Sequence, residues 1–235
     1  MTPSMRPVRV LVVDDEPPIR AVVRGFLERD GMVVRESDDG PSAVEAVRSF
    51  APDVVVLDVM LPGYDGLEVL RRIRTFADPM AIFLTARTEE VDRIVGLTVG
   101  GDDYLTKPFS PGELAARVAA LVRRRRTPVV AATDVTQVGD LIVDRPRHEV
   151  TVAGERIDLT AIEFGILDVL GRDPGIVLTR LQLLDAVWGE GFVGDEHVLE
   201  VHVGNLRRKL GDDPAQPRYV ETVRGVGYRL RDPDR

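Results

Sequence analysis

The chain has 235 residues, 44% of them hydrophobic and 30% charged, and its formal net charge is −8. The length suits one large domain or two of ordinary size, and the absence of cysteine excludes disulfides and thiolate metal sites. No stretch approaches the ~18 uninterrupted apolar residues of a membrane span, so we expect a cytoplasmic protein without a membrane partner. Residues 1–126 hold 18 basic and 20 acidic residues, and residues 127–235 hold 13 and 19. Any nucleic-acid binding must therefore depend on a local basic patch.

The first half of the chain alternates short apolar runs with helical patterns. The runs predict five strands: β1 Val8–Val13, β2 Val33–Glu36, β3 Val54–Leu57, β4 Ala81–Leu84 and β5 Tyr104–Thr106. The patterns after them predict five helices: α1 over 17–29, α2 over 41–50, α3 over 66–76, α4 over 88–99 and α5 over 111–125. This alternation predicts an α/β fold with a five-stranded, doubly wound parallel sheet of the flavodoxin-like order 2-1-3-4-5.

Polar residues follow four of these strands. They are Asp14, Asp15, Asp58, Thr85 and Lys107. In such sheets ligands bind beyond the carboxyl ends of the strands, so we expect these side chains to converge. Three carboxylates without histidine or cysteine suit a hard cation such as Mg²⁺. With a lysine and a hydroxyl beside them, they suit transfer of a phosphoryl group to a carboxylate.

The rest of the chain has a different pattern. Residues 127–137 have no amphipathic period and predict a linker. Three short antiparallel strands are expected over Val138–Asp144, Glu149–Val152 and Arg156–Leu159. Capping-box patterns at Thr160 and Thr179 predict two helices, a third is expected at about 195–210, and residues 219–230 predict a hairpin. Three helices followed by a hairpin are typical of an α+β winged helix-turn-helix domain.

The third of these helices carries a candidate DNA-binding face. An apolar stripe of Leu199, Val203, Leu206 and Leu210 predicts its core side. The predicted DNA contacts are His197, Val201, His202, Asn205, Arg207 and Arg208 on this helix and Arg224 in the hairpin turn. Residues 205–231 hold seven basic and three acidic residues, which is the local patch that the total charge hides. Binding of RNA or protein by the winged helix stays open as an alternative, and the spacing of the two histidines disfavours a metal site.

Several motifs resemble those of one protein family. The DDE at Asp14–Glu16, Asp58 in VLDVMLPGYDG, Thr85-Ala86 and GGDDYLTKPF resemble the receiver domain of two-component response regulators. LTAIEF, LLDAVWG, LRRKL and VETVRGVGYRL resemble the winged helix of the OmpR/PhoB branch. The resemblance implies a receiver over residues 7–126, a linker over 127–137 and a DNA-binding domain over 138–233.

The resemblance also implies roles for the residues at the strand ends. Asp58 would accept phosphate from a sensor histidine kinase. Mg²⁺ or Mn²⁺ would be bound by Asp14, Asp15, Asp58 and the backbone carbonyl of Met60. Lys107 would bind the phosphoryl group, Thr85 and Tyr104 would form the switch pair, and the Lys107–Pro108 peptide would be cis.

A phosphatase of the haloacid-dehalogenase type is the rival interpretation. Those enzymes resemble one another in a second aspartate, two residues after the nucleophile, that acts as general acid. Met60 occupies that position in this chain. The interpretation as a turnover enzyme is therefore rejected, and the protein is expected to be a switch and not an enzyme.

The resemblance also implies how the phosphorylated protein dimerises and binds its partners. Charged residues of the α4-β5-α5 face match those of the symmetric OmpR/PhoB dimer, and they are Arg93, Asp102, Asp103, Glu113 and Arg117. Phosphorylation would favour this homodimer, which would bind promoter DNA as direct repeats. Trp188-Gly189 and the loop to Gly194 match a segment that contacts RNA polymerase in some relatives.

Overall fold

A computed structural model describes residues 6–86, 100–126, 135–189, 192 and 197–231. The chain divides between Arg123 and Arg124 into two compact units. Among the helices that the structure describes, none has the length and apolar character needed to cross a membrane.

The described residues of the N-terminal unit form a parallel sheet of order β2-β1-β3-β4-β5, which confirms the predicted fold. Its strands are β1 Arg9–Val13, β2 Val33–Ser37, β3 Val54–Asp58, β4 Met80–Ala86 and β5 Asp103–Lys107. Its described helices are α1 Pro17–Arg29, α2 Gly40–Phe50, α3 Gly66–Ile73 and α5 Pro111–Arg126. The predicted α4 lies outside the described residues. β3 is buried along its whole length, as expected of a strand inside a sheet that is covered on both faces.

Local chemistry determines where the helices begin and end. Asp39 and Asp65 cap α2 and α3 by accepting the N–H groups of Ser42 and Glu68. α3 is shorter than its apolar pattern predicts. Beyond Ile73 the backbone tightens into i→i−3 turns, in which the N–H of residue 76 bonds the carbonyl of residue 73.

The described residues of the C-terminal unit form two antiparallel sheets and three helices. Its strands are β6 Val135–Val138, β7 Leu141–Asp144, β8 Glu149–Val152, β9 Glu155–Arg156, β10 Leu178–Thr179, β11 Val220–Val223 and β12 Gly227–Leu230. Its helices are α6 Ala161–Leu170, α7 Arg180–Trp188 and α8 His197–Leu210. One sheet has the order β6-β7-β8-β9, and the other joins β10 to the terminal hairpin in the order β10-β12-β11. Both predicted capping boxes are present.

The start of this unit differs from the prediction. Residues 138–144 form two strands instead of one, because the chain turns at Gly139, whose φ of 60° lies in the left-handed region. Residues 135–137, predicted as linker, belong to β6, where Val135 pairs with Asp144. Period-2 patterns are weak in strands of four residues, so the sequence did not separate β6 from β7.

Candidate functional site

Three carboxylates converge at the carboxyl edge of the parallel sheet. Asp14, Asp15 and Asp58 each offer an oxygen that lies within 4.8 Å of the others. β1 and β3 are neighbours, with Val13 opposite Leu57, so the residues that follow these positions lie side by side. Asp14 and Asp58 are buried and Asp15 is exposed. The predicted acidic cluster is therefore a half-open pocket that offers only oxygen ligands.

Lys107 extends from the edge strand β5 into this pocket. Its Nζ lies 2.8 Å from Oδ2 of Asp14 and 2.6 Å from Oδ2 of Asp58. Burial alone would lower the pKa of Lys107, but the hydrogen bonds to both carboxylates outweigh burial and raise it. The ammonium therefore stays protonated. The Lys107–Pro108 peptide is cis, as the resemblance implies.

Asp58 has a carboxylate with few polar partners. Burial raises its pKa, and the hydrogen bond from Lys107 acts in the opposite direction without cancelling the effect. Its Oδ1 accepts the backbone N–H of Met60 at 3.2 Å, and Met60 is 68% exposed. The Asp58 carboxylate is therefore poorly solvated and lies next to an exposed residue.

Two residues that support this pocket were not predicted. Arg20 of α1 donates from Nη1 to the backbone carbonyl of Asp14 at 2.6 Å. Gly66 begins α3 directly behind Asp58, and a Cβ at Gly66 would overlap the Asp58 carbonyl oxygen. The Asp-Gly pair that follows the third strand was the only sequence signal for this close approach.

The predicted switch residues lie on adjacent strands. Thr85 on β4 and Tyr104 on β5 are both buried. The register pairs Phe83 with Tyr104 and Thr85 with Thr106. Thr85 is therefore at the carboxyl end of the sheet, and Tyr104 is two residue pairs further back.

The predicted dimer residues form contacts within one chain. Arg117 donates from Nη1 to Oδ2 of Asp103 and from Nη2 to Oε1 of Glu113, both at 2.8 Å. Burial raises the pKa of Asp103, and the charge of Arg117 opposes it. Asp102 lies in the interior, where its Oδ2 accepts the N–H of Ala81 at 2.7 Å. Arg93 lies outside the described residues.

The exposed face of α8 differs in part from the predicted one. His197, Glu200, Gly204 and Arg208 are exposed and Val201 is half-buried. Three predicted DNA contacts, His202, Asn205 and Arg207, are buried instead. His202 is three residues after Leu199 and four before Leu206, so the helical period places it on the core side. Its ring lies 5.6 Å from that of Trp188.

The buried polar residues of α8 support the hairpin and the exposed face. Arg207 donates to the carbonyl of Val220 and to Oγ1 of Thr222, which ties α8 to β11. Asn205 accepts a hydrogen bond from Nη2 of Arg208 at 2.7 Å. These two residues therefore position groups on the candidate DNA surface without belonging to it.

Further contacts fix the hairpin and the helices against one another. The carboxylate of Asp212 accepts the backbone N–H groups of residues 218, 219 and 220. Lys209 places its Nζ 2.7 Å from Oε2 of Glu163, the buried member of the α6 capping box. Arg224 is exposed in the turn beside Gly225, whose φ is 74°. Arg224 therefore projects from an anchored hairpin.

Comparisons with known proteins identify relatives of both units. A family model described as "Response regulator receiver domain" matches residues 10–119, and one described as "Transcriptional regulatory protein, C terminal" matches residues 154–230. The chain is 44% identical to the sensory transduction protein RegX3 of Mycolicibacterium smegmatis, covering 94% of this chain and 98% of the relative. It is 43% identical to the DNA-binding response regulator MtrA of the same organism, covering 96% and 97%.

Solved structures agree with this assignment. A mutant of RitR superimposes with a TM-score of 0.73 at 26% identity, covering 96% of this chain and 99% of that one. DrrB of Thermotoga maritima, described as an OmpR/PhoB homologue, superimposes with a TM-score of 0.53 at 33% identity, covering 96% and 100%.

Proposed function

The chain belongs to the OmpR/PhoB family of two-component response regulators, and from that premise we propose which residues receive the signal and which transmit it. As a member of this family it regulates transcription in a phosphorylation-dependent way. We place the protein in the cytoplasm, where a sensor histidine kinase and promoter DNA are both accessible. It acts as a switch and not as a turnover enzyme, because Met60 stands where a phosphatase of the rival class needs an acid.

Asp58 is the phosphoacceptor. The observation that carries this proposal is the poorly solvated Asp58 carboxylate beside two further carboxylates and the Lys107 ammonium. A carboxylate oxygen attacks the phosphorus of a phosphohistidine, and the P–N bond breaks with its electrons returning to the histidine nitrogen, which takes up a proton. Lys107 stays charged throughout and binds a phosphoryl oxygen.

The same pocket fits a divalent cation. Asp14, Asp15, Asp58 and the backbone carbonyl of Met60 would hold Mg²⁺ or Mn²⁺, because hard cations select oxygen ligands. When bound, the cation would neutralise negative charge on the phosphoryl oxygens. Arg20 holds the Asp14 backbone in place by its bond to the carbonyl oxygen.

Thr85 and Tyr104 transmit the change to the surface of the receiver. The Thr85 hydroxyl binds the phosphoryl group on Asp58, and Tyr104 occupies the space behind it. The α4-β5-α5 face, with Arg93, Asp102, Asp103, Glu113 and Arg117, then forms a symmetric homodimer. Asp102 contributes through the backbone that it anchors, since its carboxylate is committed to Ala81. Each exposed pair is weak, but a two-fold axis repeats it.

Charge reversal tests the dimer face. We expect Arg93→Glu and Glu113→Arg each to weaken dimerisation of the phosphorylated protein by roughly three- to tenfold, and the double variant to recover most of the loss. Sedimentation equilibrium gives the dissociation constants. The folding of each variant is checked first by urea unfolding, because Glu113 also pairs with Arg117. Equal dimerisation of all four proteins would remove this face from the proposal.

The winged helix binds duplex DNA through α8 and the hairpin. Val201 and Arg208 face the major groove, His197 lies at the start of α8, and Arg224 reaches an adjacent groove. Asn205 and Arg207, both predicted as contacts, act from the interior by holding Arg208 and the hairpin, and His202 packs beside Trp188. The RNA polymerase contact at Trp188-Gly189 and the loop to Gly194 stays a prediction, because most of that segment lies outside the described residues.

Salt dependence tests this interface. We expect the affinity for duplex DNA to fall steeply with salt, and Arg224→Ala to reduce the slope of log K against log salt by about one, because each neutralised phosphate releases a counterion. Arg156→Ala is the control, since Arg156 is an exposed arginine of the other sheet. A flat response in the unmodified protein would argue for the protein-binding alternative, and an unchanged slope in Arg224→Ala would exclude this arginine.

A further inference from the structure

The exposed face of α8 has a glycine at its centre. Gly204 is exposed, it is the eighth residue of the helix, and its φ is not positive. Apart from its two chain neighbours and the backbone of its own helix, a Cβ built on Gly204 would have no atom of the described residues within 4 Å. Alanine therefore fits this position of the folded chain without displacing a neighbour.

The fold itself does not require this glycine. At Gly66 and Gly227 a Cβ would overlap a backbone carbonyl oxygen, so packing explains both. At Gly204 neither packing nor a left-handed backbone applies. Glycine inside a helix is less stable than alanine, because it loses more conformational freedom on folding. The chain thus carries a helix-weakening residue on its candidate DNA face without a reason inside the fold.

The missing side chain of Gly204 leaves open space between its neighbours on the helix surface. On the helix surface its neighbours are Glu200 and Val201 one turn before and Arg208 one turn after. Arg208 is held by Asn205, and Glu200 lies 3.0 Å from Nδ1 of His197 and 3.6 Å from Nη2 of Arg180. Both charged side chains therefore have partners that position them beside this open space.

The chemistry of this open space selects an apolar occupant. In the middle of a helix the backbone N–H and C=O groups are already paired with each other. Gly204 adds no side-chain donor or acceptor, and Val201 contributes only methyl groups. A polar base edge placed directly on Gly204 would find no partner in the helix backbone or in Val201. The apolar group that duplex DNA presents in the major groove is the C5-methyl of thymine.

We propose that Gly204 and Val201 form a recess that admits the C5-methyl group of one thymine in each half-site. This inference rests on the proposed entry of α8 into the major groove. The missing Cβ lets the helix backbone approach the base, and Val201 contacts the methyl group from the side. Gly204 then determines base specificity because it has no side chain.

Substitution by alanine tests the recess. The full-length, phosphorylated protein first selects its site from a pool of random duplexes, and the selected duplex becomes the probe. We expect Gly204→Ala to bind this duplex at least about fivefold more weakly, the lower end of the loss of one base contact. The thermal midpoint of the C-terminal unit should at the same time rise by roughly 2–6 °C. Weaker binding by a more stable protein cannot be explained by misfolding.

Gly25→Ala is the matched control. Gly25 is also an exposed helical glycine with open space around it, but it lies on α1 of the receiver. This variant should stabilise the receiver and leave affinity for the selected duplex unchanged. Equal binding of Gly204→Ala and the unmodified protein would overturn the inference.

Uracil substitution tests the occupant. Replacing the thymines of the selected duplex by uracil, one at a time, removes only the methyl group. We expect one position per half-site at which uracil weakens binding of the unmodified protein several-fold, and no further loss there with Gly204→Ala. Tolerance of uracil at every position would overturn the thymine assignment. If the unmodified protein selects no duplex at all, the proposed DNA interface fails, which is a separate outcome.

Discussion

Asp58→Asn is expected to abolish phosphorylation of the protein by a small phosphodonor such as acetyl phosphate, by at least about a thousandfold. The substitution keeps the size of the side chain and the Oδ1 acceptor for the Met60 N–H. It removes the anionic oxygen that must attack phosphorus, and an amide is not an effective nucleophile. Phosphate uptake, with its lability to hydroxylamine as the signature of an acyl phosphate, is the measurement.

Asp65→Asn provides the matched control. Asp65 is a nearby aspartate that caps α3, and asparagine caps helices equally well, so uptake should not change. In the unmodified protein the rate should fall as the pH drops through the raised pKa of Asp58, because only the carboxylate reacts. Uptake by Asp58→Asn at an undiminished rate would show that another residue is the acceptor.

Arg117→Met is expected to destabilise the receiver by about 3–5 kcal/mol, because it leaves a buried carboxylate without its counter-charge. Asp103 is 1% exposed and Arg117 is 8% exposed, so water cannot replace the lost guanidinium. Urea unfolding of the full chain, followed through the receiver transition, gives the difference. Arg24→Met breaks an exposed pair with Glu28 on α1 and should change the stability by less than about 1 kcal/mol.

The double variant Asp103→Asn/Arg117→Met identifies the cause. Asparagine retains the Oδ1 acceptor for the N–H of Tyr104 but carries no charge, so most of the loss should be recovered. The pH dependence of the stability defect in Arg117→Met has a definite direction. Burial raises the pKa of Asp103 above the ordinary 3.8, so the folded state of Arg117→Met binds the proton more tightly than the unfolded state. Its defect should therefore shrink as the pH falls toward 3.8, whereas a defect that is constant with pH would point to lost packing.

The intrachain pairing of Arg117 also affects the dimer proposal. An arginine held by Asp103 and Glu113 of its own chain gains little by exchanging them for identical partners across a two-fold axis. Within the proposed dimer face, Arg117 therefore contributes by keeping β5 and α5 in register. Arg93 and Glu113 are consequently the informative pair for the dimer experiment.

The sequence alone was sufficient to predict the parallel sheet and the residues that meet at its carboxyl edge. Strand and helix periods differ, so the alternation of buried runs with amphipathic patterns identified the strands. The carboxyl ends of parallel strands lie at one edge of a sheet. The positions of Asp14, Asp58 and Lys107 after their strands were therefore enough to predict that these residues lie close together. The same reasoning predicted the winged helix from its capping boxes and its terminal hairpin, since these are local signals.

Only the tertiary structure decided which polar side chains face inward. A helical pattern gives the core stripe, but the width of that stripe depends on what packs beside it. Trp188 and β11 cover His202 and Arg207 in this way. Contacts between residues distant in the chain were equally invisible, among them the close approach of Gly66 to Asp58 and the bond from Arg20 to the Asp14 carbonyl. Periodicity describes one element at a time, whereas burial and ion pairing arise between elements.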